Sequence, residues 1–528
     1  MKGFWVCLAV ASLGLGGCRR LGEETHRPPG QVLRTTINTN PTTLDPARIQ
    51  DIDTQGIISS VFEGLVSWDE RNQIVPQLAE KWEVLGGGRT YLFHLRQGVR
   101  FHDGRVMTAE DVRWSLDRCL DPKLGSPTAD TYLGDIVGAK ERLAGRASTT
   151  SGIVAVDPST VRIQIDHPRP YFLGKLTYST AFVMPKGVAP EGQEIRSVAQ
   201  MIGTGPFRAV KFVPEQVLVL EANDAYYGGA PKLRRIEHLV VKDPATRLGK
   251  FRAGEVEIAG VEQQNVPGLR RDSALKDALH LYDRPAVAYI AFGRFGYAPF
   301  ADRRVRRAMA MGIDRRKIVE VLLGGVNPSA NGILPPGVLG HRDATAFLPY
   351  DPAGAGAELA AAGYPGGRGL PPLEIVYREQ TPDSRIIAEA AATQLQANLG
   401  IVARPRSMEW RSFLETRNHN KLGAYILAWY ADYLDPENFL SNLMTTKSNG
   451  NHFGYSNLEV DRLCAQADTS LDQALRTKLY ARAEDLILQD AVWLPLYFRR
   501  EPELVSARVT GLRDNLFGHL PNTTVELK

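Results

Sequence analysis

Residues 89–119 read RTYLFHLRQGVRFHDGRVMTAEDVRWSLDRC, and two different periods meet in them. From Arg89 to Arg96 the side chains alternate, which puts Tyr91, Phe93 and Leu95 on one face, the pattern of a half-buried strand. The period then changes. Thr108-Ala109-Glu110-Asp111 has the form of a capped helix start, and Val112, Leu116 and Cys119 follow on one helical stripe. The same succession recurs further along. Leu373–Tyr377 reads as a short strand leading into a helix near Asp383, with Ile387, Ala391, Leu395 and Leu399 on its core face and Gly400 as its stop. Another amphipathic helix is expected over about Asp472–Gln489, with Leu475, Leu479 and Leu486 facing inward. The chain is therefore expected to be α/β, with many extended segments and no fixed-period repeat.

Its 528 residues are 43% hydrophobic, 23% charged and 8% aromatic, which argues against disorder, collagen and a polytopic membrane protein. The length allows roughly three or four structural units at about 150 residues each. Lys and Arg number 63 against 59 Asp and Glu, for a net +4 with both signs scattered along the chain. Nucleic acid is not expected as a partner, because polyanion binding concentrates basic charge. The densest basic run is Arg303, Arg304, Arg306 and Arg307, then Arg315 and Arg316. Val305, Ala308 and Met309 interleave an apolar stripe, so the arginines are expected to project from the opposite, solvated face; docking to a permease is the other reading. Four cysteines are too few for a disulfide scaffold, and Cys119 and Cys464 show no CxxC spacing, so both are expected to be free buried thiols.

The N-terminus carries an address. Met1–Gly17 has a cation at Lys2 and then an apolar stretch from Phe4 to Gly16, too short to span a bilayer comfortably, which reads as a secretory signal. Leu15-Gly16-Gly17-Cys18 resembles the lipobox of bacterial lipoproteins, in which the residue matching Cys18 is lipidated and becomes the mature N-terminus. The alternative is an ordinary signal peptide that contains a cysteine. Residues 18–30 are polar and Pro-containing, a tether able to reach about 40–45 Å. No later apolar run approaches ~18 residues.

Markers of catalysis are missing from the sequence. It contains no HExxH, no G-x-S-x-G, no G-x-x-x-x-G-K-[ST] and no paired His/Cys ligand spacing. His102-Asp103-Gly104 has no neighbouring nucleophile motif and reads as a strand-ending turn. GTGPF (203–207) is too short for a dinucleotide fingerprint; Gly203 and Gly205 are expected to permit a tight backbone turn. No catalytic residue, metal site or cofactor is expected.

Four blocks in order resemble the bacterial extracellular solute-binding proteins of family 5, the dipeptide- and oligopeptide-binding proteins of ABC importers. They are Thr43-Leu44-Asp45-Pro46 with VFEGLVSWD (61–69) and PQLAEKWEV (76–84); YLFHLRQGVRFHDG (91–104) with TAEDVRWSLDR (108–118); GTGPF with NDAYYGGAPKL (223–233); and PFADRRVRRAMAMGIDR (299–315) with WYADYLDPENF (429–439). The resemblance implies a two-lobed, periplasmic-binding-protein-like fold of the class II or cluster C type, with the ligand enclosed between the lobes. Lobe one would hold 31–285 and 491–528, with an extra subdomain near 70–190, and lobe two 286–490. The crossings would lie near Ala286–Gly293 and Val492–Phe498.

In peptide-binding members the Asp of a W-x-x-D block bonds the peptide α-ammonium, and Trp429-Tyr430-Ala431-Asp432 matches that block. The other reading of Asp432 is a turn cap before Asp435-Pro436, and Asp435 itself is expected to serve the turn. Trp429 and Tyr430 would line the pocket or pack beneath the loop. Trp410 resembles the family's E-W block, at the cleft margin or in the core. Arg378 lies where some dipeptide-binding members hold the ligand carboxylate; a solvated surface role is the alternative. The implied protein is a monomeric, exported, lipid-anchored lipoprotein of the periplasmic space or cell surface that passes peptides to an ABC permease. Nickel, haem or oligosaccharide as ligand, a sensory or chaperone lipoprotein, and an exported hydrolase are the other readings.

Overall fold

The computed structural model describes residues 31–379 and 381–528. The expected signal segment, Cys18 and the tether lie outside the described residues. Thr90–Leu95 is a strand whose Tyr91, Phe93 and Leu95 are buried, and Ala109–Cys119 is a helix whose Val112, Leu116 and Cys119 are buried. The Asp111 carboxylate accepts from both the backbone N–H and the hydroxyl of Thr108, tying down the helix start. This stripe shares one core with an antiparallel four-stranded sheet ordered Ala79–Leu85, Thr90–Leu95, Thr160–Gln164, Ile153–Asp157. Cys119 and Cys464 are free and buried.

The main sheet has ten strands. From one edge to the other they are Ala403–Met408, Leu373–Arg378, Ala424–Tyr430, Leu279–Phe292, Trp493–Val505, Ile258–Gly260, Val32–Ile37, Arg235–Val240, Val217–Ala222 and Phe207–Val213. Leu279–Phe292 and Trp493–Val505 are the two long strands and pair with each other antiparallel. Their register breaks between Asp283↔Arg500 and Val287↔Phe498, so Arg284, Pro285 and Ala286 face Arg499 alone. Pro285 has no N–H to give the ladder, and an interruption of this kind bends and twists the paired strands. Five strands beyond Trp493–Val505 build one lobe, and the three beyond Leu279–Phe292 build the other. The chain thus crosses between lobes twice, side by side, at an irregular point in the sheet.

Lobe two covers its sheet on both faces. Helices Arg303–Gly312, Pro352–Ala361 and Pro382–Leu399 enclose one core, and Leu458–Thr469 with Gln473–Gln489 enclose the other. Pro382–Leu399 buries Ile387, Ala391, Leu395 and Leu399 and ends at Gly400 in the left-handed region, φ 65°.

Three expectations change. Helix Gln473–Gln489 is capped by Asp472, and Leu479 and Leu486 pack half-buried against the second core as expected, but Leu475 is 37% exposed and the fully buried residues include Arg476, Tyr480, Ala483 and Ile487. Arg476 reaches Asp435 at 2.7 and 2.9 Å, so a buried ion pair takes the place in the inward face that apolar periodicity gave to Leu475. The basic run is not a simple solvated face either. Arg306 donates to the carbonyls of Phe300 and Asp490, Arg307 pairs with Glu358 at 2.8 Å, and Arg315 is 8% exposed. At GTGPF the constraint is close backbone approach: a Cβ on Gly203 would stand 2.0 Å from the Val61 carbonyl oxygen, and one on Gly205 2.6 Å from that of Ser60. His102 closes this junction, with Nε2 donating to the Gly205 carbonyl and Nδ1 accepting from the Gly203 N–H.

Candidate ligand site between the lobes

Strand Ala424–Tyr430 ends where WYAD begins to leave the sheet, and the turn after it folds back. Asp435 caps the short helix Pro436–Asn438 and is locked by Arg476, which fixes the position of Asn438, fully buried. Asn438 then serves three groups. Its Oδ1 accepts from the Trp429 indole N–H at 3.0 Å and from the Asp432 N–H at 3.2 Å, and its amide donates to Asp432 Oδ2 at 3.1 Å. Trp429 is part-buried and packs with the second core of lobe two, so its polar tip orients Asn438 beneath the loop.

The second partner of Asp432 is the hydroxyl of Tyr132, from the subdomain of lobe one. Tyr132 stacks on Tyr178 with centroids 3.9 Å apart and planes 5° from parallel, and both rings are buried. Asp432 therefore lies between the lobes. Burial pushes its carboxyl up to about 6, although both hydrogen bonds favour the charged form. Among the described residues no cation pairs with it. A desolvated carboxylate of this kind is stabilised by an arriving ammonium, whose charge acts at short range in low dielectric.

The lobes are closed on one another. Tyr433, next in sequence, belongs to lobe two yet is buried in the core of the lobe one subdomain. It stacks on Tyr171 at 5.9 Å, and a Cβ on Gly174 would meet its own Cβ at 2.9 Å. Its hydroxyl bonds Glu437, whose carboxyl burial pushes up to about 7 against the opposing pull of Lys175.

Tyr430 stands elsewhere in the same cleft. Its hydroxyl bonds Glu501 Oε1 at 3.3 Å, and the Arg499 guanidinium lies over its ring at 5.5 Å. Arg378 and Trp410 meet each other rather than Asp432, with the guanidinium 4.7 Å from the indole centre. Trp410 also stacks on Phe413 at 5.7 Å. Arg378 is exposed, and its charge reaches Asp53 of lobe one. Tyr132, Tyr178, Asn438, Asp53 and Arg499 were not singled out by sequence. Only Asn438 lies within a quoted motif, in WYADYLDPENF.

A pocket of about 880 Å³ beside Arg315, Phe347 and Tyr350 contributes none of these groups. Among the described residues no cluster of three or more His, Cys, Asp or Glu side chains could hold a metal ion, and no helix is long and apolar enough to cross a membrane.

This architecture agrees with what known proteins show. Residues 73–451, more than half the chain, match the middle region of the bacterial extracellular solute-binding proteins, family 5, and the chain belongs to that family. Among its relatives is the probable deoxycholate-binding periplasmic protein YgiS of Escherichia coli, 32% identical over 92% of each chain. The periplasmic murein peptide-binding protein MppA of Escherichia coli is 29% identical over 96% of this chain and 94% of its own. The solved structure of that murein tripeptide-binding protein superposes with a TM-score of 0.83 at 28% identity, covering 94% of this chain and 99% of the other. Its unliganded open form gives 0.72 over 94% and 98%, in keeping with the closed lobes seen here. The fold is the two-lobed one expected, and the family consists of substrate-binding proteins.

Proposed function

We propose that the chain is a substrate-binding lipoprotein of an ABC transporter that captures peptides between its lobes and delivers them to the permease. The observation that carries this reading is Asp432, a carboxylate enclosed between two lobes with hydrogen-bond donors on both sides and no cation among the described residues. A peptide α-ammonium supplies the missing charge, and backbone hydrogen bonds and cleft water leave the side chains of the guest free to vary. No covalent step is required. Ligand contact with both lobes shifts the population toward closure, and the closed form is what a permease would recognise.

In the same reading Cys18 carries the lipid that holds the exported monomer at a membrane, and the lobes divide at 31–285 with 491–528 against 286–490. The deoxycholate named for one relative gives a second reading, an anionic amphiphile as guest. Such a guest brings no positive group to Asp432, which is why a peptide is preferred. Native mass spectrometry of the exported full chain decides between them. Added masses in the range of short peptides are expected; a uniform added mass of a bile acid, haem or oligosaccharide would overturn peptide capture.

A further inference from the structure

A second set of charges faces the cleft, away from Asp432. Arg499 is the single residue opposite the three-residue interruption Arg284–Ala286, where a bulged ladder re-aims a side chain. Its guanidinium lies over Tyr430, and its side chain is 34% exposed between groups of both lobes. Among the described residues the nearest carboxylate oxygen, Glu501 Oε1, is 3.7 Å from Nε, and Nε has no hydrogen-bond partner. Glu501 is already engaged, by Arg284 at 2.8 Å and by the Tyr430 hydroxyl.

Two acids stand near Arg499. Asp53 is in the first turn of helix Ile52–Ile58 of lobe one, and Asp383 in the first turn of Pro382–Leu399 of lobe two. Both feel the Arg499 charge, and Asp53 also feels Arg378, yet none of Asp53, Asp383 and Arg378 makes an ion pair among the described residues. The Asp383 Oδ1 atom is buried with no hydrogen-bond partner among the described residues, and burial pushes both acids up to about 6. Glu262, the other carboxylate felt by Asp383, is held by Arg247 at 2.7 Å.

Arg499 thus lies within electrostatic reach of both acids and Arg378 within reach of Asp53, with no ion pair among the four in the described residues. A guest group bearing both signs answers all four, whereas a neutral or singly charged group leaves charges desolvated and unmatched. The spacing to Asp432 limits the guest. Asp432 is two residues beyond Tyr430, the last residue of its strand, so at most about 7 Å from it, and Arg499 is two strands across, about 9.6 Å. The separation is then on the order of 10–12 Å, the reach of an extended tripeptide.

We infer that this end of the cleft receives the C-terminal residue of a short peptide and selects a basic one, with Arg499 and Arg378 on its carboxylate and Asp53 and Asp383 on its side-chain cation. The inference rests on the peptide reading above and adds a substrate class to it. Calorimetry on the full chain with Ala-Ala-Lys, Ala-Ala-norleucine, Ala-Ala-Glu and Ala-Ala-Lys amide tests it. The Lys peptide should bind at least tenfold tighter than the norleucine peptide and tighter still than the Glu peptide. Asp53→Asn or Asp383→Asn should bring the Lys-to-norleucine ratio within threefold. Arg499→Gln and the C-terminal amide should each lose at least tenfold, and the amide should lose little more in the Arg499→Gln chain. The peptide comparisons on the unmutated chain hold whether or not a variant folds. Equal affinity for the Lys, norleucine and Glu peptides, or a preference for Glu, would overturn the inference while leaving peptide capture standing. Failure of all four peptides to bind would overturn both.

Discussion

The Asp432 carboxylate accepts hydrogen bonds from Asn438 and Tyr132, yet it takes up its proton near pH 6 rather than at its ordinary 3.8, because burial outweighs both bonds. Without a guest, the folded state therefore holds a proton between about pH 4 and 6 that the unfolded chain has released. Folding stability from this group is lost as pH rises through that window and regained as pH falls. Binding has the opposite sign, because a peptide ammonium requires the charged form. From pH 7 to 5 the charged fraction of the empty site falls from about nine-tenths to about one-tenth, so affinity for a free-amine peptide should drop by up to about tenfold. Asp53 and Asp383 titrate in the same range, so the N-acetylated form of the same peptide is the control; calorimetry should show a weaker pH dependence for it. Identical pH profiles for the two peptides would remove the ammonium from Asp432.

At the scale of elements, local period located the apolar residues of a buried face and did not show the charged ones. Residues 89–119 form the expected strand and helix, with Tyr91, Phe93, Leu95, Val112 and Leu116 buried where the two periods put them, although the helix also buries Arg118 against Asp45 of a distant segment. Helix Gln473–Gln489 was legible in extent and, at Leu479 and Leu486, in its inward face, but not at Arg476, whose partner Asp435 comes from a different element. The same holds for Arg306 and Arg315, held by backbone carbonyls and by Asn331. GTGPF was readable as a place needing glycine, although the need is proximity to residues 60–61 rather than a turn. Gly203→Ala should accordingly lower unfolding stability by about 1–3 kcal/mol, measured by denaturant titration, because the Val61 carbonyl oxygen has to move for a methyl group to fit. A change within about 0.5 kcal/mol would show that the junction yields freely.

For the whole molecule, the two-lobed plan was legible through resemblance, whereas half of the cleft was not. Asp432 and Tyr430 sit in a recognisable block, but Tyr132, Tyr178 and Asp53 come from the other lobe, and no local pattern marks side chains that meet only on closure. Arg499 follows an apolar run that reads as an extended crossing, and its aim into the cleft depends on a register break between two distant strands. Closure has its own contact in Tyr433, buried in the opposite lobe against Tyr171 and Gly174. Tyr433→Ala should open the ligand-free protein, giving a larger radius of gyration in small-angle scattering than the unmutated chain, and saturating peptide should bring the two together. Equal radii without ligand would mean that this contact does not hold the lobes. The most direct measurement is calorimetry of Ala-Ala-Ala and its N-acetylated form on the unmutated chain and on Asp432→Ala. The free-amine peptide should lose about 2–5 kcal/mol through the substitution and the acetylated one little; equal losses for the two would contradict capture of a peptide by its ammonium end.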